Sequence, residues 1–199
     1  MGVGETLCPY IMLNNYFTVV KNMPDFTPDM YEALRQTDKD GGSNIEKKDG
    51  VDKYELVASA QNNDKNNGLA RLKAAYPNSI WTKYITAGHT SRNTNSMPFV
   101  LNYIRKASRL SGYNLFPFFE RWGFLRQVAM YIGDYGNGWC VFPKAAYDEF
   151  KADMDELVAK GVLKEMPEGM VEEISNTADR FMPKPVSVSY THLTLPTNS

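Results

Sequence analysis

Residues 114–124 read Asn-Leu-Phe-Pro-Phe-Phe-Glu-Arg-Trp-Gly-Phe. Asn114 can cap a short helix, and Pro117 falls in the first turn, where backbone amides have no intrahelical acceptor. Gly123 supplies the stop. The apolar residues repeat at three- and four-residue spacing, which predicts a helix with one buried face. These residues are Leu115, Phe118, Phe119 and Trp122.

The segment that follows predicts the one β element of the chain. Val128, Met130 and Ile132 alternate with other residues, which is typical of a strand. Asn137-Gly138 is a strong hairpin turn signal, and it stands directly before residues 139–142. We therefore expect a short antiparallel hairpin.

Helical patterns flank this hairpin on both sides. A final helix opens at Pro143 and ends at Gly161, and residues 98–111 form another before Gly112. Further helices are predicted at 9–20, 27–36, 51–61 and 68–76, so the fold class is mainly α (α+β) with one short β-hairpin. The predicted inward positions are Val100, Tyr103, Ile104 and Ala107 in the first of these two helices, and Tyr147, Phe150, Met154 and Leu157 in the final one.

The composition divides the chain into three parts. Residues 1–161 form the helical unit, and the Pro- and Gly-containing residues 162–186 read as a linker or the start of a following unit. Residues 188–197 contain no acid, Lys or Arg, and resemble the translation of a transposase adaptor used in sequencing libraries. We therefore set residues 187–199, with His192, apart from the functional argument, and expect the gene to be cut short at this end.

The overall charge excludes several classes of protein. The 199 residues hold 22 Lys and Arg against 23 Asp and Glu, a net charge of −1. This balance gives no excess of positive charge with which to bind nucleic acid or an anionic membrane surface.

Other sequence features bear on membrane insertion and export. No apolar run approaches the length of a membrane span, and the N-terminal residues do not form a signal peptide. Cys8 and Cys140 have no CxxC spacing, and leave the redox compartment open.

The sequence contains few residues that could catalyse hydrolysis. A catalytic zinc needs three side-chain ligands and an open position, and His89 is the single histidine outside the tail. His89 cannot build His-Glu-x-x-His, and no Gly-x-Ser-x-Gly sequence supports a serine nucleophile. A thiol pair of Cys8 or Cys140 with His89 has no local motif. We assign no catalytic, cofactor-binding or metal-binding residue to the chain, and leave substrate-binding residues unassigned.

The loop that begins at Asp38 is similar to a calcium-binding loop in part. Asp38 and Asp40 stand at ligand spacing, and Ile45 stands at the usual apolar position. Ser43 replaces the glycine that the turn needs, and Asp49 replaces the bidentate glutamate. A solvated loop is the better interpretation.

Aromatic and acidic residues suggest two further kinds of site. Exposed aromatic rings can stack on sugars, but the helical spacing of Trp122 favours core packing. The acids of the final helix are most simply a solvated face rather than an acid/base pair. The residues in question are Trp81, Tyr84, Trp122 and Trp139 for sugar contact, and Asp153, Asp155 and Glu156 for acid/base chemistry.

The pattern Asn-Leu-x-x-Phe-Phe-x-x-Trp-Gly-Phe at 114–124 resembles the C-terminal part of the enhancin-like zinc metallopeptidases, peptidase family M-sixty. Asp134-Tyr-Gly136 and the helix that follows extend this resemblance. Residues 13–17 and 25–35 are similar to the helix and segment that come after the metal site in that family. The resemblance covers residues 9–161, most closely 99–161.

This resemblance implies a secreted gluzincin that acts on mucins or other glycoproteins outside the cytoplasm. Its zinc would lie in a missing N-terminal portion with His-Glu-x-x-His, and that portion would be the partner of this chain. No zinc ligand or general base is carried over to any residue here. The chain would be inactive alone, and would pack behind the site as one wall of the substrate cleft. The alternative is a free-standing helical binding or scaffold module, for which glycans are one candidate ligand.

Overall fold

The computed structural model describes residues 3–40, 52–61, 67–84, 97–134 and 136–177. These residues are mostly helical and contain a single two-stranded antiparallel sheet, so the predicted mainly α fold with one hairpin is confirmed. The elements are α1 (Val3–Asn15), a π-helical turn (Tyr16–Val20), α2 (Phe26–Asp40), α3 (Lys53–Gln61), α4 (Gly68–Ala75), α5 (Trp81–Tyr84), α6 (Met97–Ser111), α7 (Phe116–Arg121), β1 (Val128–Asp134), β2 (Gly136–Phe142), α8 (Lys144–Ala159) and α9 (Met170–Ser175).

The first helix differs from its prediction at both ends. It begins at Val3, so that Pro9 lies inside the helix rather than at its start. Its last five predicted residues form the π-helical turn instead, where the Lys21 N–H donates to the Tyr16 carbonyl at 2.9 Å. β-branched residues crowd a regular α-helix, and the wider turn occurs where they cluster. Tyr16 and Phe17 are both buried there.

Helix α6 contacts α2, α3 and β2. Ile104 and Ala107 of its predicted apolar face are fully buried, whereas Val100 and Tyr103 are half-buried. The prediction missed a second buried side of α6, because polar residues occupy it and produce no apolar pattern. The buried polar residues on this helix include Asn102, Arg105, Lys106 and Ser108.

Helix α7 brings the aromatic motif into the core. Asn114 Oδ1 accepts the Phe116 N–H at 3.2 Å, which fixes the entry to the helix. The rings of Phe118 and Phe119 are fully buried with centroids 5.3 Å apart. Of the core residues predicted from sequence, Phe118, Phe119, Phe150 and Leu157 are buried, while Trp122 and Tyr147 are half-buried against the same cluster.

The hairpin turns earlier than its sequence signal indicates. Asp134 pairs with Gly136, so the chain reverses before Asn137-Gly138, which lie within β2. The predicted turn at Asn137-Gly138 is therefore wrong. A two-residue turn there would pair Val128 with Tyr147, which lies in α8, whereas the observed register pairs Val128 with the buried Phe142.

The described residues after Gly161 lie against the same core. Lys164 forms a parallel bridge with Tyr113, and the Tyr16 hydroxyl donates to Glu173 Oε2 at 2.7 Å. Helix α9 contacts α1 and buries Met170 and Ile174.

Candidate functional site

A charged cleft of about 570 Å³ opens between α3, α6 and α8. Its lining differs from the apolar core because most of its residues are acidic or basic. The charged residues that line it are Asp52, Lys53, Arg105, Arg109, Asp153, Glu156 and Lys160.

One buried ion pair joins α6 to the residue that precedes α3. Arg105 Nε and Nη2 each lie 2.7 Å from Asp52 Oδ2, and both side chains are largely buried. Asp52 Oδ1 also accepts the Tyr54 N–H at 2.9 Å, so the same carboxylate caps the start of α3. Arg105 Nη1 donates to the Asp153 carbonyl at 3.3 Å, which ties α6 to α8.

A second ion pair joins α3 to α8. Lys53 Nζ lies 2.6 Å from Asp153 Oδ2 and 3.4 Å from Glu149 Oε1. The Tyr54 hydroxyl donates to the same Asp153 oxygen at 2.7 Å. Lys53 Nζ also lies 5.4 Å from the centre of the Tyr76 ring, within the range of a cation–π contact. Lys53 is thus held in place by both carboxylates and the ring.

Glu149 extends this network to the start of α5. Its carboxylate accepts the Ser79 hydroxyl at 2.6 Å and the Ile80 N–H at 2.8 Å. One acidic side chain of α8 therefore positions residues 79–80 as well as Lys53.

A third ion pair, Glu55 with Lys106, lies between α3 and α6 with both side chains 1% exposed. Removing two charges from water costs free energy that only close pairing offsets. The pair therefore favours one alignment of α3 on α6, in which the two charges meet.

Burial controls the protonation of the tyrosines at the cleft. Burial, and then the negative charge of Asp153, raise the pKa of Tyr54 well above 10. Burial, and then Asp52, raise the pKa of Tyr76. Both phenols are protonated at neutral pH and act as hydrogen-bond donors.

The acids of α8 divide into two groups. Asp155 and Glu156 are exposed and pair with Lys151 and Lys160, which agrees with the predicted solvated face. A hydrogen bond from Lys160 lowers the pKa of Glu156. The same prediction is wrong for Asp153, which pairs with Lys53 and Tyr54 because it borders the buried face of α8. Sequence reasoning also missed Glu149, which lies one helical turn before Asp153.

The aromatic candidates from the sequence do not form one surface. Trp81 is fully buried, and Tyr84 is exposed. The Trp122 indole packs near Phe118 and donates to Ser175 Oγ at 3.2 Å, in agreement with core packing. Trp139 is a β2 residue whose side chain is outside the described part of the structure.

The remaining candidates lie largely outside the described residues. Cys8 is half-buried in α1, whereas His89 and the side chain of Cys140 are not described. Asp38 and Asp40 belong to α2, which continues beyond its predicted end at residue 36, and the rest of the calcium-like loop is not described. Residues 187–199 are likewise outside the described part.

The cleft carboxylates nearest to the core are already paired with cations of the chain. The carboxylates of Asp52 and Asp153 already accept hydrogen bonds from cations, and a metal ion would have to displace Arg105 or Lys53 to reach them. Within the described ranges, no three His, Cys, Asp or Glu side chains are grouped so as to hold a metal ion. Zinc, which favours nitrogen and sulfur ligands, does not fit this donor set.

A second concave surface, the aromatic groove, lies between α1, α2 and α6. It has a volume of about 680 Å³ and no charged side chain in its lining. Three of its residues expose large apolar side chains: Ile11 (53%), Tyr31 (72%) and Phe99 (41%). Its lining consists of Tyr10, Ile11, Asn14, Phe26, Thr27, Met30, Tyr31, Leu34, Phe99, Val100 and Tyr103.

The fold and these two surfaces define a mainly α-helical protein with a charged cleft and an aromatic groove. The chain matches no protein-family model, no curated protein and no solved structure. In the described part of the chain, no helix combines the length and the apolar character needed to cross a membrane.

Proposed function

We propose that this chain is the helical, non-catalytic C-terminal part of a secreted enhancin-like zinc metallopeptidase that acts on mucin or other glycoproteins. The proposal rests on the sequence resemblance at 114–124 and residues 99–161. One structural observation supports it: apolar residues that carry the pattern lie in the core. Leu115, Phe118 and Phe119 are fully buried, and Trp122 packs beside them.

The zinc of such a peptidase belongs to another portion of the protein. The cleft carboxylates are held by Arg105 and Lys53, and do not fit the metal. No catalytic step is therefore assigned to this chain. The missing zinc-binding portion is its proposed partner, and the location of the whole protein is extracellular or on the cell surface.

The charged cleft is the surface that we assign to the wall of the substrate site. It is concave, and its inner ion pairs hold three helices in a fixed arrangement before any substrate arrives. Lys160 lies at its exposed edge, and its ion pair among the described residues is with the exposed Glu156, so it can exchange partners at little cost.

Activity of a longer gene product tests this proposal. A product extended upstream to include His-Glu-x-x-His should bind one zinc and cleave mucin or casein, whereas the present chain should do neither. In the extended product, Lys160→Gln should raise KM a few-fold with little change in kcat. Lys144→Gln, which breaks a matching exposed pair with Asp148 at the other end of α8, is the control. Stoichiometric zinc on the present chain, lost in His89→Ala, would contradict the proposal.

The aromatic groove favours a second candidate function, the free-standing binding module. Exposed apolar side chains gathered in one concave surface are typical of binding sites. The two functions differ in what precedes the chain in the gene. A zinc motif in the same reading frame supports the peptidase, and an in-frame stop codon supports the module.

A further inference from the structure

Three tyrosines give the aromatic groove its hydrogen-bonding character. Tyr10 and Tyr103 are in edge-to-face contact with ring centroids 4.6 Å apart, and Tyr31 lines the same groove. None of the three hydroxyls forms a hydrogen bond with any residue that the structure describes. Their donors are therefore available to a ligand.

The hydroxyls of Tyr10 and Tyr103 are donors at neutral pH. Burial raises the pKa of Tyr10 to about 12, and burial with the neighbouring phenols raises that of Tyr103. Each protonated phenol offers one O–H. The surrounding side chains add apolar contact area without charge, from aromatic rings and from Ile11, Met30, Leu34 and Val100.

A ligand that matches this surface needs apolar faces, hydrogen-bond acceptors and few donors. A proline-rich peptide has this combination, because its rings are apolar and its prolines have no N–H. In the polyproline II conformation the carbonyls make no internal hydrogen bonds, and so can accept from the tyrosines. Docking in aromatic-lined grooves is a recurrent mode of recognition for such peptides.

We propose that the aromatic groove binds an uncharged proline-rich peptide in the polyproline II conformation, with tyrosine hydroxyls donating to peptide carbonyls. The same lining disfavours two other ligands. A sugar would bring many hydroxyl donors against Ile11, Met30, Leu34 and Val100, where they would lose hydrogen bonds to water. An amphipathic helix has satisfied its own carbonyls, and would leave the tyrosine hydroxyls unused.

This inference concerns a different surface from the charged cleft, and does not depend on the peptidase proposal. Peptide binding is a property of the present chain, whereas peptidase activity is a property of the extended product. Failure of one measurement therefore leaves the other intact.

Fluorescence anisotropy with a labelled, end-capped octaproline tests the proposal on the full 199-residue chain. We expect saturable binding with a dissociation constant below about 1 mM, the weak end of specific recognition. A Gly/Ser peptide of the same length should bind at least about tenfold more weakly, because its flexible chain must be ordered on binding. Maltohexaose and an amphipathic Leu/Lys helix should not compete for the site.

Variants at exposed residues locate the site without disturbing the core. Tyr31→Phe removes one hydroxyl, and should weaken binding about three- to tenfold, the size of one neutral hydrogen bond. Tyr31→Ala also removes the ring, and should weaken it further. Tyr84→Ala, at an exposed tyrosine outside the groove, is the matched control and should leave affinity unchanged. The proposal would be overturned by the absence of octaproline binding up to 2 mM, about twice the expected upper limit of the dissociation constant. Equal affinity for the Gly/Ser peptide, or competition by maltohexaose or the helix, would also overturn it. So would an equal loss of affinity in Tyr31→Ala and Tyr84→Ala.

Discussion

At the scale of single residues, a substitution at Asp52 tests most directly how much the buried ion pairs contribute to stability. Its carboxylate is the partner of Arg105, and both residues are buried. Asp52→Asn keeps the shape of the side chain but leaves the guanidinium without a countercharge at that position. We expect the free energy of unfolding to fall by about 3–5 kcal/mol, the cost of breaking a buried ion pair on one side.

Urea denaturation measures this loss, and Asp148→Asn is its control. Asp148 pairs with Lys144 on the exposed face of α8, and its loss should cost about 0.5 kcal/mol or less. Similar small losses in both variants would show that the Asp52 pair is solvated in solution.

Tyr54 makes stability depend on alkaline pH. The pKa of the buried phenol lies well above 10, while the unfolded chain ionises near 10. The stabilising contribution is therefore complete below pH 10 and is lost as pH rises through the folded pKa. Each such tyrosine lowers the free energy of unfolding by up to about 1.4 kcal/mol per pH unit in that window.

Tyr54→Phe removes this titration. In denaturation experiments from pH 7 to about 11.5, the free energy of unfolding of the variant should fall less steeply with pH above the pKa of an unfolded tyrosine. The variant loses the hydrogen bond to the Asp153 carboxylate at neutral pH, which costs about 1.5–3 kcal/mol because the acceptor is charged. Tyr84→Phe should follow the parent protein. Parallel curves for the parent and Tyr54→Phe would contradict the assignment.

At the scale of elements, Gly68 sets how closely α4 approaches α3. A Cβ at this position would lie 2.5 Å from the Ala60 nitrogen and 2.9 Å from the Ser59 carbonyl carbon. Helix propensity favours alanine by up to about 1 kcal/mol, but the clash with backbone opposes it. We expect Gly68→Ala to lower stability by about 1–3 kcal/mol.

Thermal and urea unfolding check the sign of this change. Ala74→Gly, at an exposed position of the same helix, measures propensity alone and should cost up to about 1 kcal/mol. A stabilised Gly68→Ala would mean that α3 and α4 lie farther apart in solution.

The elements that sequence predicts best are those with clear terminal residues. Helix α6 was predicted at 98–111 and observed at Met97–Ser111, and α8 was predicted between Pro143 and Gly161 and observed at Lys144–Ala159. Pro marks the starts because the first turn needs no N–H from it, and Gly marks the ends because Gly112 and Gly161 adopt the positive φ that terminates a helix. The turn of the hairpin was misplaced because its register depends on where α8 begins and on the buried Phe142, which local turn signals do not contain.

For the whole molecule, the charged cleft was beyond sequence reasoning for a physical reason. Hydrophobic periodicity marks apolar positions, while the cleft is built from charges that find partners far along the chain. Arg105 meets Asp52 across 53 residues, and Tyr54 meets Asp153 across 99. The aromatic groove was missed for a related reason, since its tyrosines belong to three separate helices.

The central claim is that this chain is the non-catalytic part of a zinc metallopeptidase, and the sequence of the gene upstream of Met1 tests it most directly. The account predicts an open reading frame that continues upstream in the same frame and encodes His-Glu-x-x-His with a downstream Glu. These would supply the two imidazoles and the carboxylate that a catalytic zinc requires. An in-frame stop codon preceding a ribosome-binding site at Met1 would contradict the account and leave the free-standing binding module.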